Sequence, residues 1–170
     1  NGVRSRAARA SAPSRGIAPA EETLIQYIED RHVALTVGTV EPRKGHAELL
    51  DAFEVAFRQH PELVLIVVGK PGWKTERLQE RLRSLANSNP NVFWLTSATD
   101  EVLSILYARS NVVVAPSYDE GFGLPIVESL SYECPVLARD ISVFRELDTA
   151  GINFFMTGSV EELATQMSVL

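Results

Sequence analysis

Cysteine occurs once in the 170-residue chain, at Cys134. A lone thiol closes no internal disulfide and builds no multi-cysteine metal site, which fits a reducing compartment. Long apolar runs are missing as well. None approaches the ~20 residues that cross a bilayer, so no membrane-spanning helix is expected. The first sixteen residues carry four arginines and no apolar block, unlike a secretory leader. Gly38-Thr39-Val40, after the first candidate strand, is not the G-x-G-x-x-G of a dinucleotide oxidoreductase, and a Walker-type phosphate loop is absent. The rest is ordinary globular material, with 45% hydrophobic and 22% charged residues, enough to bury a core.

Charge is unevenly spread. Arg4, Arg6, Arg9 and Arg15 stand with no acid in residues 1–16, whereas the remainder holds 12 bases against 22 acids. A body of that sign is a poor general nucleic-acid binder, because phosphate neutralisation supplies most of such affinity. Any anion must be held at a small local site. Residues 1–20, rich in Ala, Ser and Pro, read as a flexible linker, and residues 21–170 as one domain. The chain opens on Asn1 rather than Met, as expected of a piece of a longer protein.

Strands and helices alternate from Gly16 onward, without internal repeat. Val33–Val40, Leu63–Gly69, Val92–Thr96, Asn111–Pro116, Pro135–Ala138 and Ile152–Phe155 are apolar runs of strand length. Between them, 44–60, 75–86, a stretch capped by Thr99 or Asp100, and 124–131 show helical spacing. A short helix opens near Ser142, and Ser159 with Glu162 forms a capping-box pattern before a last helix. This alternation predicts βαβ units and a Rossmann-like doubly wound parallel sheet of about six strands, in the order 3-2-1-4-5-6. Ligands of such sheets bind at the carboxyl ends of the strands, beside the switch point between the first and fourth. Two loops lie there, Thr39–His46 and Ser117–Leu124.

The first loop places Arg43 and Lys44 at a helix N-terminus, the wrong sign for the helix dipole. Either a polyanion sits between them, or both turn to solvent or pair with Glu41. The second loop runs Glu120-Gly121-Phe122-Gly123-Leu124-Pro125 and continues to Glu128. Its glycines permit a sharp bend, Pro125 suits a first helical turn, and free N–H groups there cradle anions. Carboxylates do not bind phosphate, so Glu120 and Glu128 would serve hydroxyl-bearing groups on either side of it. Eight residues separate them by about 12 Å, the scale of a sugar–diphosphate–ribose unit. The alternative is a plain helix entrance with two solvated glutamates.

Glu120 and Glu128 around Gly121-Phe122-Gly123 resemble the E-x7-E motif of retaining GT-B glycosyltransferases of group 1, also called family 4. Further segments agree: 37–45 resembles the family's first loop, 68–73 the turn after its second strand, and 93–108 its third strand and helix. Residues 138–146 resemble a subset that builds bacterial surface polysaccharides by mannosyl or rhamnosyl transfer. The resemblance covers about residues 33–165. It implies the C-terminal, donor-binding half of a two-domain enzyme, truncated before its last helix and lacking the N-terminal acceptor domain. Asn1-Gly2-Val3 resembles the end of the strand that links the two.

By the same resemblance, Glu128 holds the donor ribose and Glu120 the transferred sugar. Backbone groups of Gly121, Phe122, Gly123 and Leu124 face the diphosphate or sugar, beside Gly38 and Thr39. Lys44 is the phosphate lysine with Arg43 next to it, and Thr96, Ser97 and Thr99 lie where the base is held. The implied reaction moves a hexose to a glycan acceptor with retention, Glu120, Arg43 and Lys44 forming the catalytic set. The departing diphosphate helps deprotonate the acceptor, its charge stabilised by Arg43 and Lys44. No metal or other cofactor is expected. GDP-mannose is the first-choice donor, then a UDP- or dTDP-sugar. The expected location is cytoplasmic, with the longer protein peripheral on the inner membrane face. Taken alone, the chain is expected to bind nucleotide without catalysing, and the alternative is a non-catalytic nucleotide-sugar-binding module. Thr39 stands where relatives carry a base, and Thr96 where they carry glycine. His46 and His60 read as surface helix residues rather than bases, with contact to donor or acceptor as the alternative for His46, which adjoins the site; Trp73 and Trp94 read as packing residues, and Cys134 as a small buried one.

Overall fold

The computed structural model describes residues 16–147 and 149–169. The arginine-rich head and the Asn1-Gly2-Val3 reading lie outside them. Six strands form one parallel sheet: β1 (Val33–Val37), β2 (Val64–Val68), β3 (Val92–Leu95), β4 (Val112–Ala115), β5 (Val136–Arg139) and β6 (Ile152–Phe155). Their order is β3-β2-β1-β4-β5-β6, the expected doubly wound arrangement. Seven helices belong to the same residues: α1 (Pro19–Tyr27), α2 (His46–Gln59), α3 (Glu76–Ser88), α4 (Asp100–Arg109), α5 (Leu124–Ser131), α6 (Ser142–Arg145) and α7 (Val160–Val169).

The continuous apolar runs follow from burial on both faces. Along β2, Leu65 and Val67 join one core with α2, α3 and α7, while Val64, Ile66 and Val68 join a second beneath α1 and α4. No strand residue there can be polar without losing ~1.5–3 kcal/mol of side-chain burial. On α2 the stripe Leu49, Leu50, Phe53 and Ala56 is buried, as its spacing predicts. Leu82 does the same on α3, and Leu106 with Tyr107 on α4. Thr99 caps α4, its Oγ1 accepting from the Val102 N–H at 3.2 Å.

Several expectations change. Helix α1 begins at Pro19, inside the stretch expected as linker, and buries Leu24 against the sheet. Strand β1 stops at Val37, and Val40 forms an isolated bridge with Pro71 instead. Arg43 and Lys44 lie not on α2 but on a 3-10 turn, Pro42–Lys44, set apart by Gly45 in the left-handed region at φ 73°. A side chain at Gly45 would place its Cβ 2.0 Å from the Pro116 carbonyl oxygen, so the first loop packs directly on the second. Trp73 is exposed (67%) rather than packed, and Glu162 accepts from the Met156 N–H at the entrance to α7.

Strand β1 pairs with β2 over all five residues, but with β4 only at Ala34–Val112 and Leu35–Val113. Beyond those pairs the carboxyl ends of β1 and β4 part. A pocket opens at the split.

Candidate functional site

Thr36 and Val37 from β1 and Val114 and Ala115 from β4 line the floor of this pocket. Lys44 and His46 enter from the first loop, Ser117, Glu120 and Gly123 from the second, and Phe144 from α6. The stem of Lys44 crosses Gly38, with Cδ and Cε 3.8 Å from where a Cβ would stand, an ordinary contact distance. Lys44 Nζ donates to Glu120 Oε1, and both side chains are largely buried. Ser117 Oγ donates to the same oxygen at 2.8 Å. Cation and carboxylate thus meet at the floor of one cleft, drawn from loops 76 residues apart.

Gly123 begins α5 in the left-handed region at φ 83°, and a Cβ there would lie 3.0 Å from Phe144 Cε1. Its carbonyl accepts from Ile126 N–H at 3.0 Å. Among the described residues, no hydrogen bond takes up the N–H groups of Phe122, Gly123 or Leu124. They face the region where the helix dipole favours an anion.

Not every expected residue reaches this pocket. Arg43 is half-exposed, its Nε on Glu41 at 3.2 Å and its Nη1 on the Asp119 carbonyl at 3.3 Å. It straps the two loops together from outside. Thr96, Ser97 and Thr99 are exposed at the end of β3, and Thr39 is half-buried beside Gly38. Glu128 sits on the exposed side of α5, where its Oε2 accepts from the Tyr107 hydroxyl at 2.9 Å. Burial and the Glu128 carboxylate push the Tyr107 phenol well above its usual range. Tyr107 also stacks on Tyr132, ring centroids 5.7 Å apart, so Glu128 is held by a rigid donor.

Three features went unread in the sequence. His46, read as a surface residue, is 2% exposed, because its i+3, i+4 and i+7 spacing to Leu49, Leu50 and Phe53 puts it on the buried face of α2. Ser117 lies three residues before Glu120, a spacing that gives no signal by itself. Beneath both loops, Arg139 Nη2 donates to Glu48 Oε2 at 2.7 Å and Nε to the Pro116 carbonyl at 2.8 Å. Burial works to raise the Glu48 carboxyl, but Arg139, the Tyr118 hydroxyl and the Gly158 N–H together hold it below its ordinary value. Among the described residues, no group of three or more His, Cys, Asp or Glu is placed to hold a metal ion, and no helix is long and apolar enough to cross a membrane.

Residues 24–169 match the family described as Glycosyl transferases group 1. The chain is 43% identical over 138 residues to the serotype-specific mannosyltransferase WbdA of Escherichia coli, covering 81% of this chain and 17% of that protein. It is 32% identical over 127 residues to the O-antigen chain mannosyltransferase RfbU of Salmonella typhimurium, covering 75% and 35%. The chain therefore spans about a sixth and a third of those relatives' lengths. Among solved structures, the C-terminal domain of a group 1 glycosyl transferase family protein (LpcC) from Francisella tularensis shares the fold, with TM-score 0.71 at 19% identity over 90% of this chain and 83% of that one. Anabaena Alr3699/HepE in complex with UDP-glucose gives TM-score 0.69 at 26% identity, covering 89% of this chain and 43% of that one.

Proposed function

Because the chain belongs to the group 1 glycosyltransferases, we propose that it is the half that holds a nucleoside-diphosphate sugar for transfer to a glycan acceptor. The observation that carries this reading is the pocket at the β1/β4 split, where Lys44 meets Glu120 below the free N–H groups that open α5. A diphosphate at that helix mouth gains the dipole and the amides, and Lys44 lies within one side chain's reach of it. The sugar then falls toward Glu120 and the ribose toward Glu128, with the base toward Thr96, Ser97 and Thr99.

GDP-mannose is the first-choice donor, supported by the mannosyltransferases WbdA and RfbU. A UDP-sugar comes next, supported by the UDP-glucose bound to HepE. In the longer protein, a second domain brings the acceptor. It attacks from the face that the nucleotide leaves, the departing diphosphate takes its proton, and Lys44 stabilises the charge that develops, so configuration is retained. Arg43 joins it once its strap to Glu41 and Asp119 opens. The 170-residue chain by itself binds donor and does not transfer.

Calorimetry on this chain tests the reading. GDP, UDP or dTDP should bind with a Kd between micromolar and millimolar, about −8 to −4 kcal/mol. No heat with any of the three at millimolar concentration counts against it.

A further inference from the structure

His46 is a buried polar side chain of the pocket whose ring nitrogens have no partner. It is 2% exposed, and neither Nδ1 nor Nε2 makes a hydrogen bond. The charged and hydroxyl groups beside it are engaged with one another: Lys44 and Ser117 both donate to Glu120. Buried polar atoms are nearly always satisfied, so one left alone in a pocket calls for a partner. The ring shares the pocket with Glu120, the residue read above as holding the transferred sugar.

We propose that His46 is a specificity residue, whose neutral imidazole hydrogen-bonds a hydroxyl of the sugar that Glu120 holds. This rests on the donor-binding reading above and names a further sugar contact for it. The chemistry selects a hydroxyl over a phosphate. A neutral imidazole offers one N–H donor and one acceptor nitrogen, matching a hydroxyl that both donates and accepts. Phosphate oxygens only accept, so the ring's lone pair would face them unfavourably. Burial first, and then the neighbouring Lys44 charge, bring the imidazole down to about 4, so the ring stays neutral near pH 7. Its backbone position is fixed by Gly45, which no larger residue can replace without meeting Pro116.

The test compares a nucleoside diphosphate with its sugar conjugate, GDP against GDP-mannose and UDP against UDP-glucose, on the 170-residue chain. In His46→Leu the diphosphate Kd should stay within about twofold, while the conjugate binds roughly fivefold to tenfold more weakly, the scale of one hydrogen bond. His46→Gln should recover part of that loss. The apolar variant removes two orphaned nitrogens, so its thermal midpoint should hold or rise. On the unsubstituted chain, the 15N signals of the His46 ring should move when the conjugate is added and stay still with the diphosphate. Equal conjugate affinity in His46→Leu and the unsubstituted chain, or ring signals unmoved at saturation, overturns the assignment while leaving donor binding intact. If the unsubstituted chain binds neither compound, the donor-binding reading fails and this inference with it.

Discussion

Fully buried Arg139 meets the nearly buried Glu48, Nη2 to Oε2 at 2.7 Å, from the end of β5 and the first turn of α2. Around them Tyr118 donates its hydroxyl to Glu48 at 2.9 Å and lays its ring 3.9 Å from the guanidinium carbon. Gly158 N–H closes the other carboxylate oxygen at 3.0 Å. Four segments are thereby fastened beneath the pocket: the head of α2, the second loop, the end of β5 and the approach to α7. A buried pair of this kind adds little compared with an apolar filling, but removing one member strands the other's charge.

Glu48→Ala and Arg139→Ala should therefore each lower stability by about 3–5 kcal/mol, with the double variant losing clearly less than the sum. Urea unfolding of the four proteins measures it. Strict additivity would mean the two groups are not coupled.

Acid should loosen the fold before the carboxylates titrate. The His46 imidazole lies at about 4 in the folded chain against 6.5 when free. Between those values the unfolded chain binds a proton that the fold rejects, so stability falls as pH drops from 6.5 toward 4. By pH 5 the loss is about 2 kcal/mol. The lowered Glu48 carboxyl acts at lower pH, its stabilisation fading only as pH falls below about 4.5. His46→Leu should flatten the pH 7 to 5 slope and leave the steeper acid limb unchanged. Urea midpoints at pH 7.5, 6 and 5 decide it, and parallel slopes would refute it.

The two motif glutamates should separate by ligand. Glu128 is braced by Tyr107 and lies apart from the pocket that holds Glu120. Glu128→Ala should weaken a plain nucleoside diphosphate by roughly tenfold, and Tyr107→Phe by less, since a charged hydrogen-bond acceptor is worth about 1.5–3 kcal/mol. Glu120→Ala frees Lys44 for the diphosphate, so plain nucleotide affinity should hold or rise while the preference for the sugar conjugate drops. Equal loss of nucleotide affinity in both glutamate variants would undo the division of roles.

Much of this molecule was legible along the chain. Apolar runs such as Leu63–Gly69 declare burial on both faces, and the handedness of βαβ crossovers leaves few orders for the sheet. Gly123 and Pro125 announce the bend before α5, because few other residues accept those backbone angles. These are local signals, set by steric limits and by period.

Contacts across the sheet are different in kind. Lys44 reaches Glu120 over 76 residues, and Arg139 reaches Glu48 over 91, only because β1 and β4 pair briefly and then part. His46 faces inward by the helical period, three, four and seven residues before Leu49, Leu50 and Phe53, and only the packing decided that no polar group meets its ring. Periodicity thus decided which elements form and which faces they bury, whereas register, strand splay and loop packing decided which polar groups meet.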